Sequence, residues 1–394
     1  MLFSGDSVLL SALRSSHTGG VSAVVRYVDG QIPLSVEGSG SVQFRASGEI
    51  QSSTEITVVG AGPSLVPRSP ADPFGAAGQE VSLNRTVSVG GEEWTIPLGV
   101  FRVTRAADSF ERFRGSTVVE WAVDVSLSDR FEQIKADDFI AVEGPKTGNS
   151  VWQEIQRLSP IPVQQSLGDA AVPRGTVYES RFDAIRVLME ILGGVPHLTR
   201  EGVLTARVAD AWLTSTQPVF DLPGVVEWSD EVTNDFYNQV QVTNPNNAGI
   251  VAYAVLDDPA DPRSVPRAGG RTYKQSAPIY ATVSSAQAAA RTILQRVSRK
   301  RSNTVKVTCS PEALLLELGD VGWIRDPLRL RAVFGEVSAI TVPLDATQPV
   351  VVELIVAMEI ELSGAADETV PFFAGYPSEA TFPDVELYPS GGSA

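Results

Sequence analysis

The sequence predicts a mainly β fold with α+β insertions, divided into several domains. Three observations carry this. At 394 residues the chain exceeds what one hydrophobic core serves, and about 150 residues per domain gives two to four domains. Val, Thr, Ser and Gly recur in short alternating runs bounded by turn residues, the signature of strands. A hydrophobic fraction of 43% with 20% charged residues is the composition of a folded chain, not a disordered one.

A short helix over residues 7–13 comes first and breaks at Ser15-Ser16-His17-Thr18-Gly19-Gly20. Residues 21–28 form a strand that turns at Asp29-Gly30, where Gly tolerates positive φ, and returns through 32–36. Residues 42–46 and 53–59 alternate again, as a meander or barrel requires. From 60 to 78 the chain is a Pro/Gly/Ala loop, since Pro63, Pro67, Pro70 and Pro73 remove donors a central strand needs. A loop this long is either a contact segment or disordered, and both readings stay open. Strands resume over 80–89, 94–103 and 116–125, and the first domain closes near residue 135.

Helical signal follows. Ser150 and Gln153 have capping-box spacing and open a helix over 151–158, stopped by Pro160. A second box, Ser180 with Asp183, opens a helix that Gly193-Gly194 ends. Residues 198–208 read as a hairpin turning at Glu201-Gly202, so 136–225 is a small α+β domain. A third unit, 226–362, opens with the strand 238–243, and an insertion over about 250–302 carries a helix, 286–299, capped by Ser284 or Ser285. Strands at 303–309, 321–324, 331–337 and 350–356 complete it. The segment 363–394 holds Asp367, Glu368, Glu379, Asp384 and Glu386, no Lys or Arg, and prolines beside aromatics. It reads as an extended acidic tail, docking on a neighbour or covering its own domain.

The chemistry expected of the chain is that of a non-enzyme. His17 and His197 are far apart, and no HExxH, Gly-x-Ser-x-Gly or phosphate-cradling Gly-x-x-x-x-Gly-Lys occurs. Catalytic, cofactor and metal sites are therefore expected to be none. One cysteine, Cys309, excludes an internal disulfide, and its place in an alternating strand predicts an inert thiol. Asp257, Asp258 and Asp261 lack calcium-loop spacing, and Arg296, Arg299, Lys300 and Arg301 complement a helix dipole or meet an acidic partner. Carboxylates are plentiful enough that a glycosidase is not dismissed on residue types, and Trp94, Trp152 and Trp212 are candidates for a sugar groove. A net charge of −16 argues against a phosphate-binding groove and does not exclude a conduit along which DNA slides, because overall charge does not show where the carboxylates point. The N-terminus lacks the basic region of an export signal, and no apolar run approaches the roughly 20 residues of a membrane span, so no membrane binding of its own is expected.

Leu9-Leu10-Ser11-Ala12-Leu13 before Ser16-His17, Gly40-Ser41-Val42, Trp94-Thr95-Ile96-Pro97-Leu98-Gly99-Val100-Phe101, Tyr237-Asn238-Gln239-Val240 and Leu318-Gly319-Asp320-Val321 occur in a telling order. Over nearly the whole chain this order resembles the tail-hub, or baseplate-hub, proteins of tailed bacteriophages, especially minor tail proteins of siphophages infecting actinobacteria. The resemblance implies two tube-like antiparallel β-barrel domains, 1–135 and 226–362, beside smaller α+β domains. It implies a homotrimer whose six barrels adapt a sixfold tube to threefold tip proteins at the distal end of the virion tail, after synthesis in the host cytoplasm. Implied partners are further copies of itself, the distal tail and tail tube proteins, the tape measure protein, a downstream tip or fibre protein, and DNA in non-specific transit. No cofactor is implied, and a chain ending at 394 is expected to lack the enzymatic extensions of some relatives. Two alternatives stand beside it: the hub of a contractile tail or injection system carrying a spike, and a carbohydrate-binding or carbohydrate-active β protein.

Overall fold

A computed structural model of the chain describes residues 7–172, 177–178, 180–213, 215, 217–228, 236–276, 280, 282–299 and 304–361. The acidic tail 363–394, together with Lys300 and Arg301, lies outside the described residues. The fold is mainly β, 47% strand and 18% helix.

Helix α1 (Ser7–Arg14) leads into β1 (Thr18–Tyr27), β2 (Gly30–Val36), β3 (Ser41–Arg45) and β4 (Ser52–Gly60). Tyr27 pairs with Gly30, so the tight turn is Val28-Asp29, and Gly30 opens the return strand instead of closing the turn. After the long loop come β5 (Glu80–Val89), β6 (Glu92–Arg114) and β7 (Thr117–Asp129). The ladders β4–β2–β1–β5–β6–β7 return to β4, closing a six-stranded barrel in which every pair is antiparallel. Closure removes the free edges that an open sheet presents.

Helices α2 (Phe131–Ala136), α3 (Val151–Leu158) and α4 (Arg181–Ile191) and the hairpin β8 (Gly194–Leu198) and β9 (Leu204–Val208) share a separate core around Phe131, Trp152, Ile185 and Leu188. The capping box at Ser150 and Gln153 is formed, and the Ser180 side chain accepts the Asp183 N–H. Gly202, at φ 75°, makes the β8–β9 turn in a region that disfavours other residues.

The strand β10 (Phe220–Trp228) begins upstream of the expected boundary at 226. Pro223-Gly224 disguises it as a turn, yet Gly224 lies where β14 and β15 close in: a Cβ there would stand 2.6 Å from Val307 Cγ1 and 2.9 Å from Ile324 Cγ2. Then follow β11 (Gln239–Asn244), β12 (Asn247–Val255), α5 (Val265–Ala268), β13 (Thr272–Ser276) and α6 (Val283–Arg299), a lobe with its own core of Val240, Val242, Ile250, Ala286, Ala290 and Ile293. Thr282, not Ser284 or Ser285, caps α6. Its Oγ1 accepts the Ser285 N–H, and its own N–H donates to Ser285 Oγ, each at 3.1 Å.

Finally β14 (Thr304–Cys309), β15 (Val321–Asp326), β16 (Arg331–Pro343) and β17 (Val350–Glu361) join β10 in a five-stranded ring, β15–β10–β14–β17–β16 and back to β15. This ring departs from the antiparallel expectation in one pair, β10 with β15. The lobe, β14 and a 3₁₀ turn intervene between those strands, which supplies the crossover a parallel pair needs. Strand β16 pairs with β15 through Arg331–Glu336 and with β3 through Ala339–Pro343, and β3 pairs in turn with β4. One continuous sheet of twelve strands therefore holds both barrels side by side.

Candidate assembly site

A twelve-stranded ladder does not by itself fix two barrels at one angle; buried side chains across the seam do. Arg85 of β5 crosses from the first barrel and donates to the carbonyls of Leu344 (Nη1–O 3.1 Å) and Pro343. Arg200, in the β8–β9 turn, donates to Leu314 O at 2.5 Å and Leu316 O at 2.6 Å in the second barrel and to Pro97 O at 3.3 Å in the first. Its guanidinium also lies 5.3 Å from the centre of the Phe44 ring. Burial pushes both arginines below their ordinary pKa. A guanidinium suits this place because its planar fork reaches several carbonyls at once.

The α+β unit is fixed by the same means. Arg130 holds Glu80 with two bonds of 2.7 Å and donates to Gly202 O, and Gln51 Nε2 donates to Pro196 O at 2.7 Å. Arg207 pairs with Glu336 at 3.0 Å, and Glu336 also accepts the Trp212 N–H. Between these contacts lies a cavity of about 20 Å³ lined by Gln51, Asp129, His197 and Glu317, among others. That is room for a water molecule, not for a substrate.

Titratable groups gather at this joint. Burial raises Asp129 to about 6 against the opposing hydrogen bonds from Ser52 and Phe131, and burial likewise raises Asp320 to about 6, aided by the Glu317 charge. Burial also works to raise Glu317, but nearby His197, with Nε2 at 3.9 Å, and Arg200 outweigh it and bring the carboxyl to about 2.

One element leaves the barrel. Pairing of β4 with β7 ends at Gly60 and Trp121, and pairing of β5 with β6 ends at Glu80 and Arg102. Beyond Trp121 the hairpin continues alone to Arg114 and Thr117, roughly 13 Å at about 3.3 Å per residue. Gly115, at φ 66°, makes its two-residue turn. This arm shows Phe113 and Val119 to solvent, and Phe110 at its root, 54%, 37% and 49% exposed, and it carries unpaired strand edges among the described residues. The Pro-rich loop braces it: Arg68 Nη2 reaches both Glu111 oxygens at 3.0–3.1 Å. Loop residue Phe74 is buried in the barrel core, and Gln79 donates to Pro70 O and Asp72 O. The loop is thus ordered, with contacts to the arm and to the barrel core.

The candidates raised by the sequence do not converge. His17 is at the surface with Nδ1 donating to Ser15 O, whereas His197 lies in the joint. Cys309 is buried in β14, and burial, with the Glu312 charge, pushes its thiol up to about 12. Asp258 caps its own turn and Asp261 pairs with Arg263 at 2.8 Å. Among the described residues no cluster of His, Cys, Asp or Glu has the makings of a metal site. Trp152 and Trp212 are buried and belong to different surroundings, so they and the half-buried Trp94 form no common groove. Sequence reasoning missed Arg85, Arg200 and the arm; an isolated Arg within a strand or turn gives no local sign of a partner far along the chain.

No protein-family model matches the chain, nor does any curated protein. Among solved structures it is similar to the tail protein from Neisseria meningitidis MC58, with TM-score 0.51 and 13% identity over 86% of this chain and 96% of that one. The fold is that of a tail protein. Its structural neighbours include the 43 kDa tail protein of prophage MuSo2 from Shewanella oneidensis, at TM-score 0.49 and 12% identity over 85% of this chain and 98% of that one. They also include a prophage tail protein from Listeria monocytogenes EGD-e, at TM-score 0.48 and 11% identity over 86% and 94%. At such identities the tail-protein likeness concerns the fold.

Proposed function

We propose that the chain is a structural hub of a phage tail tip and that three copies close into a ring. The observation that carries this is the pair of closed barrels held side by side in one sheet by β3, Arg85 and Arg200. Three copies then present six barrels with threefold symmetry, the match needed between a sixfold tube and threefold tip proteins. In this reading 1–135 and the unit that opens with β10 at 220 are the barrel domains, the stretch from 136 to that strand is the α+β domain between them, and 363–394 is the tail that meets a tip or fibre protein. The distal tail and tube proteins stack above, and the tape measure protein and DNA pass through. The particle carries the ring at its distal end, assembled from chains made in the host cytoplasm.

The projecting β6–β7 arm supports the same reading, since exposed aromatics on an unpaired hairpin suit a neighbouring subunit. The stoichiometry is tested by mass photometry of the purified chain mixed with its tail partners. A species of three copies is expected, and a chain that stays monomeric and is absent from purified tail tips overturns the proposal.

A further inference from the structure

The lobe between β10 and β14 has the opposite charge from its surroundings. Residues 236–299 carry seven Arg or Lys against three Asp, a net of +4, which leaves −20 for the rest of a chain whose total is −16. The barrel from which it emerges, residues 220–228 and 304–361, carries four Lys or Arg against eleven Asp or Glu, a net of −7. The lobe's acids stand together on the β12–α5 connection, where Asp261 is taken up by Arg263 and Asp258 caps a turn. Helix α6 has no acid among its 17 residues and carries Arg291, Arg296 and Arg299.

The lobe's core cluster includes no residue of either barrel. One face of its sheet packs on α6. The other presents three rows across the strands: Val255-Gln239-Thr272, Tyr253-Gln241-Lys274 and Val251-Thr243-Ser276. Tyr253 is 59% exposed, in the same row as the exposed Lys274. Tyr253 and Lys274 flank Gln241 from the two outer strands, and the nine residues of the three rows include this one cation and no acid, so the face adds to the lobe's positive charge.

We propose that this lobe is a docking element for the acidic body of a second copy of the same chain. The inference rests on the ring reading and names the contact that closes it. The complementary charge is present in every copy and in excess. A contact between the lobe of one copy and the body of the next is heterologous, the type that generates rings. Opposite charge speeds the encounter and fixes its orientation.

The test uses the full chain with Lys274→Glu and Arg291→Glu, two exposed residues outside the lobe core. Oligomeric state is measured by light scattering at low and high salt, with circular dichroism as a check on folding. The wild-type assembly is expected to dissociate as salt rises, because screening weakens exposed charge contacts. The double variant is expected to dissociate about tenfold more readily at low salt, with a flatter salt dependence. The neutral pair K274Q/R291Q, which adds no acid, is expected to fall between them. A double variant that assembles like the wild type overturns the docking role while the ring stands. A wild-type chain that never assembles overturns both. A basic lobe that binds a DNA oligonucleotide, with that binding lost in the variant and assembly unchanged, assigns the lobe to nucleic acid and overturns the proposal.

Discussion

Replacing Arg200 by Met keeps the aliphatic stem and removes the guanidinium that joins three units. Three carbonyls, of Pro97, Leu314 and Leu316, lose a donor. Each buried carbonyl left unpaired costs about 1–3 kcal/mol. Against this, the variant no longer buries a charge, a gain that offsets part of the loss. Three carbonyls at that cost amount to about 3–9 kcal/mol before the offset, so a net destabilisation of a few kcal/mol, roughly 2–5, is expected. Arg200→Lys is expected to fail almost as badly, since one ammonium on a flexible stem does not span acceptors in two barrels. Urea unfolding followed by tryptophan fluorescence gives the free energy, and calorimetry tells whether the barrels and the α+β unit still melt together. The expected outcome is a lowered midpoint and a split transition. An R200M or R200K chain that unfolds as one unit at the wild-type midpoint refutes the staple role.

The joint carboxylates predict an unusual pH dependence. Asp129 and Asp320 have folded pKa values near 6, above their unfolded values, so the folded state holds extra protons between pH 4 and 6. Their stabilisation is full below about pH 4 and lost as pH rises through 6, roughly 2–3 kcal/mol for each. Unfolding free energies at pH 5 and 7.5 check this, and the difference is expected to shrink in D129N and D320N. Gly224→Val drives a side chain into Val307 and Ile324, and a loss of about 1–3 kcal/mol is expected in a denaturant titration. Phe110→Ser with Phe113→Ser is expected to change monomer stability by less than about 0.5 kcal/mol while reducing incorporation into tails, read by denaturation and by counting assembled particles. Cys309 is expected to resist a thiol reagent until urea unfolds the chain.

Much of the fold was legible because it is written in local periodicity. The alternation in β5, buried at every second position, and the capping box of α3 need no distant partner to be recognised. Strand β10 was hidden because Pro223-Gly224 has turn chemistry, and only the crowding of Val307 and Ile324 explains the glycine. The outer half of β6 was hidden for another reason: past Val103 the strand has no buried residue, and Arg105, Asp108, Glu111 and Arg112 fall in a stretch where neither face is required to be apolar. The seam was the least legible part. Arg85 reaches residues more than 250 positions away, and nothing near it in the chain marks it as anything but a surface arginine.

The proposed hub requires three copies to close around a passage. Cryo-electron microscopy of the tail tip tests it most directly, without symmetry imposed. The predicted result is one ring of three copies, six barrels around a central channel, with each β6–β7 arm in contact with a neighbouring subunit. A tip in which this chain is a single copy, or in which its two barrels do not both border the channel, contradicts the account.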